Sequence, residues 1–173
     1  MTPRPVLLAA LLALSAAPPA ISFAQASDPA AAAIQGFDDS LLNVMKQGKS
    51  LGVQGRYREL EGPVDRTFDL PTMTRFAVGP KWASLPAAEQ SALVKAFTRL
   101  TIAEYAHNFD SYGGEKFVLD PKVQTRLPDK LVQTQLVSPS DKTHTFTYRM
   151  RQAADGRWKI IDVYADHISQ LAT

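Results

Sequence analysis

Two pairs of histidine and aspartate lie close together in this sequence and could take part in acid–base chemistry. His107 and Asp110 are three residues apart, so both would lie on one face of a helix. Asp166 directly precedes His167. A carboxylate that orients an imidazole is a common arrangement for a general base. Because His107 and Asp110 fall where a helix is expected to end, we interpret them as solvated groups at a helix terminus.

Asp162 is a further candidate, because it interrupts the apolar stretch of residues 160–163. A carboxylate that is half-buried there could serve as a catalytic acid. Such carboxylates more often accept hydrogen bonds from nearby backbone groups or an arginine, and we favour that interpretation. The sequence has no HExxH, GxSxG, GxGxxG or phosphate-loop motif. We therefore predict that the protein is not an enzyme.

Composition excludes several classes of site. The 173 residues include no cysteine and three histidines, so disulfides and thiolate sites are excluded. A histidine-based metal site would require nearly every histidine in the chain. We predict neither a metal site nor a cofactor. The formal net charge of +2 is too weak to indicate nucleic-acid binding, and the length predicts one domain.

Residues 1–26 are typical of an export signal. Arg4 supplies the N-terminal positive charge, residues 6–17 form an uncharged apolar run, and residues 24–26 match the small-x-small cleavage pattern. The apolar run is too short to span about 30 Å of hydrocarbon, and a Pro-Pro pair follows it. We predict that the signal is cleaved and that residues 27–173 form a soluble domain outside the cytoplasm.

The first half of this domain is expected to be helical, because apolar residues recur every three or four positions through about residue 110. The first helix should cover residues 30–49, and Gly62-Pro63 should break or kink the second. A short helix should begin near Pro71 and a long one should cover residues 84–108. Six residues are predicted on the inner face of the long helix: Leu93, Val94, Phe97, Leu100, Thr101 and Tyr105.

The second half is expected to form strands, because the apolar period changes to two after residue 114. Asp155-Gly156 is a hairpin signal between the last two strands. Helices followed by an antiparallel meander predict an α+β fold, with helices packed on one face of a curved sheet that can enclose a pocket. Five strands are predicted: residues 116–119, 123–127, 131–137, 143–151 and 158–165.

Two blocks of the sequence contain motifs in a specific order. In the first, Phe68-Asp69 precedes a short helix that ends in Gly-x-x-Trp at residues 79–82, and a long helix follows with Phe97 and Tyr105. In the second, the string DGRWKIIDV at residues 155–163 precedes Ile-Ser at residues 168–169.

Together these blocks resemble the toluene-tolerance or MlaC family of periplasmic phospholipid-binding proteins. The resemblance extends from about residue 30 to the end of the sequence, and the last residues are most similar to the hopanoid-biosynthesis-associated, HpnM-like branch. It implies helices wrapped on a twisted sheet, as in nuclear-transport-factor-like folds, around an apolar cavity.

The resemblance also implies a function. The protein would be a non-catalytic periplasmic carrier that holds the acyl chains of a phospholipid or hopanoid-type lipid, with the head group near the mouth. Its partners would be the substrate-binding subunit of an inner-membrane ABC transporter and an outer-membrane lipoprotein complex. Lipid would pass between the two membranes without ATP binding by this protein.

Periodicity and the resemblance together suggest which residues contact lipid. The long helix and the last two strands would form the walls, and Phe76 and Trp82 would close the mouth. Lys81, Lys95 and Arg99 could meet a phosphate or a partner, or simply be solvated. The predicted lipid-binding residues are Phe76, Trp82, Phe97, Leu100, Tyr105, Phe146, Tyr148, Trp158 and Ile160.

The sequence departs from the family pattern at two places. His167 occupies a position where the family has glycine, so we expect the turn there to differ. Relatives continue into another helix beyond the position of Thr173, and without it the cavity would be partly open.

Two other functions remain open from the sequence. A pocket enzyme on the same fold would use Asp162, Tyr148 and His144. A protein-only adaptor would have a filled core and an exposed apolar patch.

Overall fold

The computed structural model describes residues 28–140 and 142–171, and the predicted export signal lies outside these residues. In the described part, no helix is both long and apolar enough to cross a bilayer. Four α-helices come first, and a 3₁₀ turn (Gly79–Ser84) joins the last two. Their bounds are α1 (Pro29–Lys46), α2 (Gly48–Thr67), α3 (Leu70–Val78) and α4 (Ala87–Asn108).

Six strands follow in the order β1 (Lys116–Leu119), β2 (Gln124–Arg126), β3 (Asp129–Val137), β4 (Thr143–Gln152), β5 (Trp158–Ala165) and β6 (Ile168–Ser169). All of them pair antiparallel in one sheet. β1 and β2 pair with one side of β3, and β4, β5 and β6 follow in order on its other side. The predicted α+β fold is confirmed. The two-residue strand β6 was not predicted from the sequence.

Helix α1 forms the centre of the core. It begins after Asp28, whose carboxylate accepts a hydrogen bond from the backbone N–H of Ala30 at 2.9 Å. Its apolar stripe is buried against β1, β3 and β5, as the helical period predicts. The buried residues of this helix are Ala30, Ala31, Ile34, Phe37, Asp38, Leu41, Val44 and Met45.

Helix α2 bends at a different residue from the one predicted. The helix continues through Pro63, and its non-helical residue is Gly52, with φ of 59° and ψ of 176°. Only glycine adopts this backbone conformation without strain, so the bend falls near the start of the helix. Arg56, buried in the next turn, donates to the backbone carbonyl oxygens of Ala106 (2.6 Å) and Gly48 (2.8 Å). This arginine therefore joins α2 to the C-terminal turn of α4.

Helix α3 is fixed to the sheet by Asp69, the residue that precedes it. The Asp69 side chain caps the helix by accepting from the backbone N–H of Thr72 at 3.1 Å. The backbone N–H of Asp69 donates to the carbonyl oxygen of Ile160 on β5 at 2.8 Å. Helix α4 packs against α2 and α3. This arrangement leaves a gap between α4 and the end of the sheet that β4 and β5 form.

Candidate functional site

The gap between α4 and the sheet is a cavity of about 320 Å³. Its volume lies at the lower end of the range of small-molecule sites, roughly 300–1,000 Å³. Helix α4 forms one wall, β4 and β5 form the opposite wall, and α3 and the segment after β6 complete it. The lining residues are Phe68, Met73, Ala77, Phe97, Leu100, Thr101, Glu104, Tyr105, Asn108, Phe109, Phe146, Val163, Ala165, Gln170 and Leu171.

The wall that α4 contributes is one row of its residues, which we call the floor of the cavity. Phe97, Thr101 and Tyr105 follow one another at intervals of four, and Phe109, directly after the helix, continues the row. Residues four apart lie one above another on a helix. The rings of Tyr105 and Phe109 stack with their centroids 5.6 Å apart and an interplanar angle of 12°. This inner row is largely apolar and aromatic.

The sheet supplies the opposite wall. Phe146 on β4 is half-buried, and its ring contacts that of Phe109, with the two centroids 6.3 Å apart. Val163 and Ala165, two residues apart on β5, line the cavity from the same face of the sheet, as the period of two predicts. Leu171, after β6, closes this side. An acyl chain between these walls would touch aromatic and aliphatic carbon on both sides.

An aromatic cluster packs behind the floor and belongs to the core. Phe37 of α1 contacts Phe68 edge-on at 5.1 Å between centroids and Tyr105 at 5.2 Å. Tyr148 contacts Phe37 at 6.5 Å and Phe146 at 6.4 Å. Such edge-on pairs stabilise the packing beyond the area that they bury. Burial also raises the pKa of both tyrosine hydroxyls well above the usual value of 10. The cluster therefore supports the floor of the cavity from the side of the core.

The mouth is formed by a second row on α4. Leu100, Glu104 and Asn108 also follow at intervals of four, and all three are exposed. Gln170 lies at the mouth on the side of the sheet. The site is therefore apolar inside and polar at its opening, which is the arrangement that an amphiphile requires.

Four of the nine residues predicted to contact lipid line this cavity: Phe97, Leu100, Tyr105 and Phe146. Leu100 is not on the inner face of the helix, because 54% of its surface is exposed at the mouth. Leu93, also predicted on the inner face, is exposed as well. Whether these residues contact lipid stays a prediction.

The other five predicted residues lie elsewhere. Tyr148 and Ile160 are fully buried in the core, where the Tyr148 ring packs against Phe37 of α1. Trp158 lines a separate surface groove of about 610 Å³ between α1, α2 and the β4–β5 turn. Phe76, which is exposed, and Trp82, which is half-buried in the 3₁₀ turn, are not among the cavity-lining residues.

Sequence reasoning missed a buried carboxylate beneath the aromatic cluster. Asp38 on α1 is inaccessible to solvent, and one of its oxygens accepts a hydrogen bond from the Thr134 hydroxyl on β3 at 2.9 Å. The other oxygen, Oδ1, has no hydrogen-bond partner within residues 28–140 and 142–171. Burial raises the pKa of Asp38 to about 7. The sequence signal that could have revealed its burial is the position of Asp38 directly after Phe37, within the apolar stripe of α1.

The candidate catalytic groups do not converge on one site. Asp162 accepts hydrogen bonds from its neighbour's backbone N–H at 2.8 Å and from the Ser169 hydroxyl at 3.0 Å, which agrees with the structural interpretation. His144 lies 3.2 Å from Asp166, but both side chains are exposed, the first at the start of β4 and the second in the turn between β5 and β6. His107 is exposed on the last turn of α4. In the described residues, no cluster of three or more histidine or acidic side chains could hold a metal ion.

The fold and cavity define a small α+β domain in which helices wrap an antiparallel sheet and leave an apolar site with a polar mouth. The chain belongs to the MlaC protein family, whose model matches residues 35–173. The resemblance stated from the sequence is thereby confirmed at the level of the family, and the HpnM-like branch stays a prediction. A search of the curated proteins finds no match to this chain.

Among solved structures, the chain is similar to a phospholipid-binding protein from Ralstonia solanacearum that was determined in complex with a phospholipid. The two chains are 17% identical and superpose with a TM-score of 0.72. The superposition covers 83% of this chain and 81% of the Ralstonia chain. At this identity the similarity shows the fold.

Proposed function

We propose that this protein is a periplasmic lipid carrier that holds the acyl part of a phospholipid in the cavity between α4 and the sheet. The observation that carries the proposal is the cavity itself, which has apolar walls and a polar mouth. Membership of the MlaC family and the phospholipid held by the structurally similar Ralstonia protein support the same class of ligand.

The size of the cavity limits how much lipid it holds at rest. A methylene group occupies about the volume that a water molecule takes in the liquid, roughly 30 Å³. A cavity of about 320 Å³ therefore holds roughly ten methylene groups. Each buried methylene contributes about 0.8 kcal/mol, so burial of this segment contributes about 8 kcal/mol before the costs of binding. A longer chain therefore requires the cavity to widen.

The same burial energies explain why a lipid needs a carrier to pass between two membranes. A sixteen-carbon chain released into water loses about 12 kcal/mol of burial, so free diffusion of such a lipid is slow. A carrier offers comparable burial and exchanges its ligand at a partner. We propose that these partners are the substrate-binding subunit of an inner-membrane ABC transporter and an outer-membrane lipoprotein complex. Residues 1–26, the predicted export signal, are consistent with this location.

Phospholipid is the preferred cargo, and a hopanoid-type lipid is the alternative. The ending of the sequence resembles the hopanoid-associated branch of the family. The described cavity is bordered by flexible side chains such as Met73 and Leu171, which can adapt to either an acyl chain or a fused ring system.

A pocket enzyme is disfavoured by geometry. Tyr148 is in the core, His144 is exposed at the start of β4, and Asp162 accepts a hydrogen bond from Ser169. A general acid or base must lie within hydrogen-bond reach of the reacting atoms, and these three groups share no site. A protein-only adaptor is expected to have a filled core, whereas this fold has an apolar cavity.

The proposal is tested by native mass spectrometry of the protein purified from bacterial cells. We expect a stoichiometric lipid adduct that is lost under denaturing conditions and whose mass identifies the lipid class. An apo protein that also takes up no lipid from phospholipid vesicles would contradict the proposal and favour the adaptor.

A further inference from the structure

We propose that Glu104 makes the mouth of the cavity selective for lipids whose head group carries a positive charge, such as the ammonium of phosphatidylethanolamine, over lipids with a net negative head group. This inference rests on the proposed function, because it assigns the class of head group at that site. It follows from the charges around the mouth.

Glu104 is placed where a head group would lie. The inner row of α4 (Phe97, Thr101, Tyr105) forms the floor, and the outer row to which Glu104 belongs forms the rim. An acyl chain that occupies the floor therefore leaves its polar end beside the outer row. Glu104 is exposed, so its carboxylate remains in contact with water and with an arriving head group.

The charge of the mouth is negative. Of the described residues that line the cavity, Glu104 is the only one with a charged side chain at neutral pH. Thr101, Asn108 and Gln170 are its neutral polar neighbours there. No lysine or arginine among these lining residues is available to bind a phosphate.

The basic residues of α4 point away from the mouth. A helix turns about 100° per residue, so Arg99 lies about 140° around the axis from Glu104, and Lys95 about 180°. Within residues 28–140 and 142–171, Glu104 forms no ion pair or side-chain hydrogen bond, including with His107 three residues further on. Its charge is therefore not neutralised by a neighbour in the fold.

An exposed carboxylate gives a modest preference. Charged pairs near a protein surface change an equilibrium by a few-fold, and salt screens them. Both head groups carry a negatively charged phosphate. Phosphatidylethanolamine adds an ammonium that can pair with Glu104, whereas phosphatidylglycerol has no positive charge. We expect a preference of about threefold to fivefold for phosphatidylethanolamine at low ionic strength.

The test is a competition for lipid. The full protein is incubated with vesicles that contain equal amounts of phosphatidylethanolamine and phosphatidylglycerol with the same acyl chains, then re-isolated, and its lipid is quantified by mass spectrometry. We expect the preference in the wild type, a ratio near one for Glu104→Gln, and a reversed ratio for Glu104→Lys. The matched control is Glu89→Gln, in the first turn of α4 and outside the cavity, which should keep the wild-type ratio.

Each outcome has a distinct meaning. Equal ratios in the wild type and both Glu104 variants, with normal total uptake, overturn the selectivity and leave the carrier function intact. A shift that Glu89→Gln reproduces also overturns it, because the effect would then come from net charge at the vesicle surface. If the wild type takes up neither lipid, the proposed function is wrong and this inference fails with it.

Discussion

The carboxylate of Asp38 on α1 accepts a hydrogen bond from the hydroxyl of Thr134 on β3 at 2.9 Å, and solvent reaches neither side chain. This contact joins the central helix to the middle of the sheet, directly beneath the aromatic floor of the cavity. Desolvation dominates the environment of Asp38, with a smaller opposing effect of the Thr134 hydrogen bond, and raises its pKa to about 7. Asp38 is therefore protonated in the folded protein at mildly acidic pH.

The contribution of Asp38 to stability should fall as the pH rises from about 4 to about 7. The pKa of Asp38 is about 7 when folded and about 3.8 when unfolded, so between these values the folded state holds a proton that the unfolded state has lost. The free energy of unfolding that this group contributes is fully present below pH 4 and is lost by about pH 7, a change of about 4 kcal/mol. Thermal unfolding of Asp38→Asn between pH 5 and 8 should remove this decline.

Asp39→Asn is the matched control for Asp38. Asp39 is exposed and accepts a hydrogen bond from Gln35 on its own helix, at 3.0 Å. Repulsion from Asp39 is the smallest of the effects on the pKa of Asp38, so this variant should keep most of the decline of the wild type. A wild-type melting temperature that does not fall between pH 5 and 8, or that falls equally in Asp38→Asn, would contradict the assignment.

Asp129 should have the opposite pH dependence. It is buried at the start of β3, where Arg149 and Arg151 donate to its two oxygens at 2.6 Å. The hydrogen bond from Arg151 is the largest of the effects that lower the pKa of Asp129. Its stabilisation is therefore present above the unfolded pKa near 4 and is lost as the pH falls below it.

Removing the charge of Asp129 measures this effect. We expect Asp129→Asn to lower the free energy of unfolding at pH 6 by about 2–3 kcal/mol, because it leaves two arginines without their carboxylate. Asp155→Asn breaks the exposed Asp155–Arg157 pair and should change stability little, because solvent screens an exposed ion pair and the cost of ordering its side chains offsets the attraction. Urea unfolding of both variants would show the contrast, and equal losses would refute it.

His167 should be replaceable by glycine with a gain in stability. The turn between β5 and β6 places His167 at φ of 73°, in the left-handed region that favours glycine. The sequence predicted that this turn would differ from the family pattern, but the backbone still has a positive φ at this position. We expect His167→Gly to raise the free energy of unfolding by about 0.5–1 kcal/mol.

A second glycine substitution controls for the residue type. His107 lies in the last turn of α4 with a helical backbone, so His107→Gly should lower stability by about 0.5–1 kcal/mol. Chemical denaturation of the two variants should give shifts of opposite sign. A loss of stability in His167→Gly would show that the histidine side chain has a role beyond its backbone.

Local patterns predicted most of the secondary structure. The bounds of β1 and β5 agree with the sequence prediction, and Gly156 has the positive φ that a Asp-Gly hairpin requires. The sequence predicts a break or kink of α2 at Gly62-Pro63, whereas the structure bends the helix at Gly52. The helix accommodates Pro63 because the proline ring does not disturb the preceding turn. The effect of an isolated glycine depends on tertiary contacts, which a local pattern does not contain.

Long-range geometry explains what the sequence could not predict. Helical and strand periods identify an apolar face, but they do not say whether that face meets the core or a cavity. Tyr148 and Phe146 are two residues apart on one strand face, and one is in the core while the other lines the cavity. Asp38 is buried because β3 brings Thr134 to it from 96 positions away in the chain, and no local pattern encodes that contact.

Uptake of lipid by two matched aspartate variants tests the central claim most directly, namely that the cavity between α4 and the sheet holds the lipid. Phe146 is half-buried in the cavity wall, and Leu127 is 87% exposed and outside the cavity. A charge in an apolar site is strongly unfavourable, so Phe146→Asp should take up at least about tenfold less lipid from phospholipid vesicles than the wild type. Leu127→Asp should bind like the wild type.

Circular dichroism would first establish that both variants are folded, and Phe146→Ser would serve in place of Phe146→Asp if the latter were not. We expect native mass spectrometry to show a loss of bound lipid in the cavity variant alone. Full lipid occupancy in a folded Phe146→Asp protein would contradict it and place the lipid elsewhere.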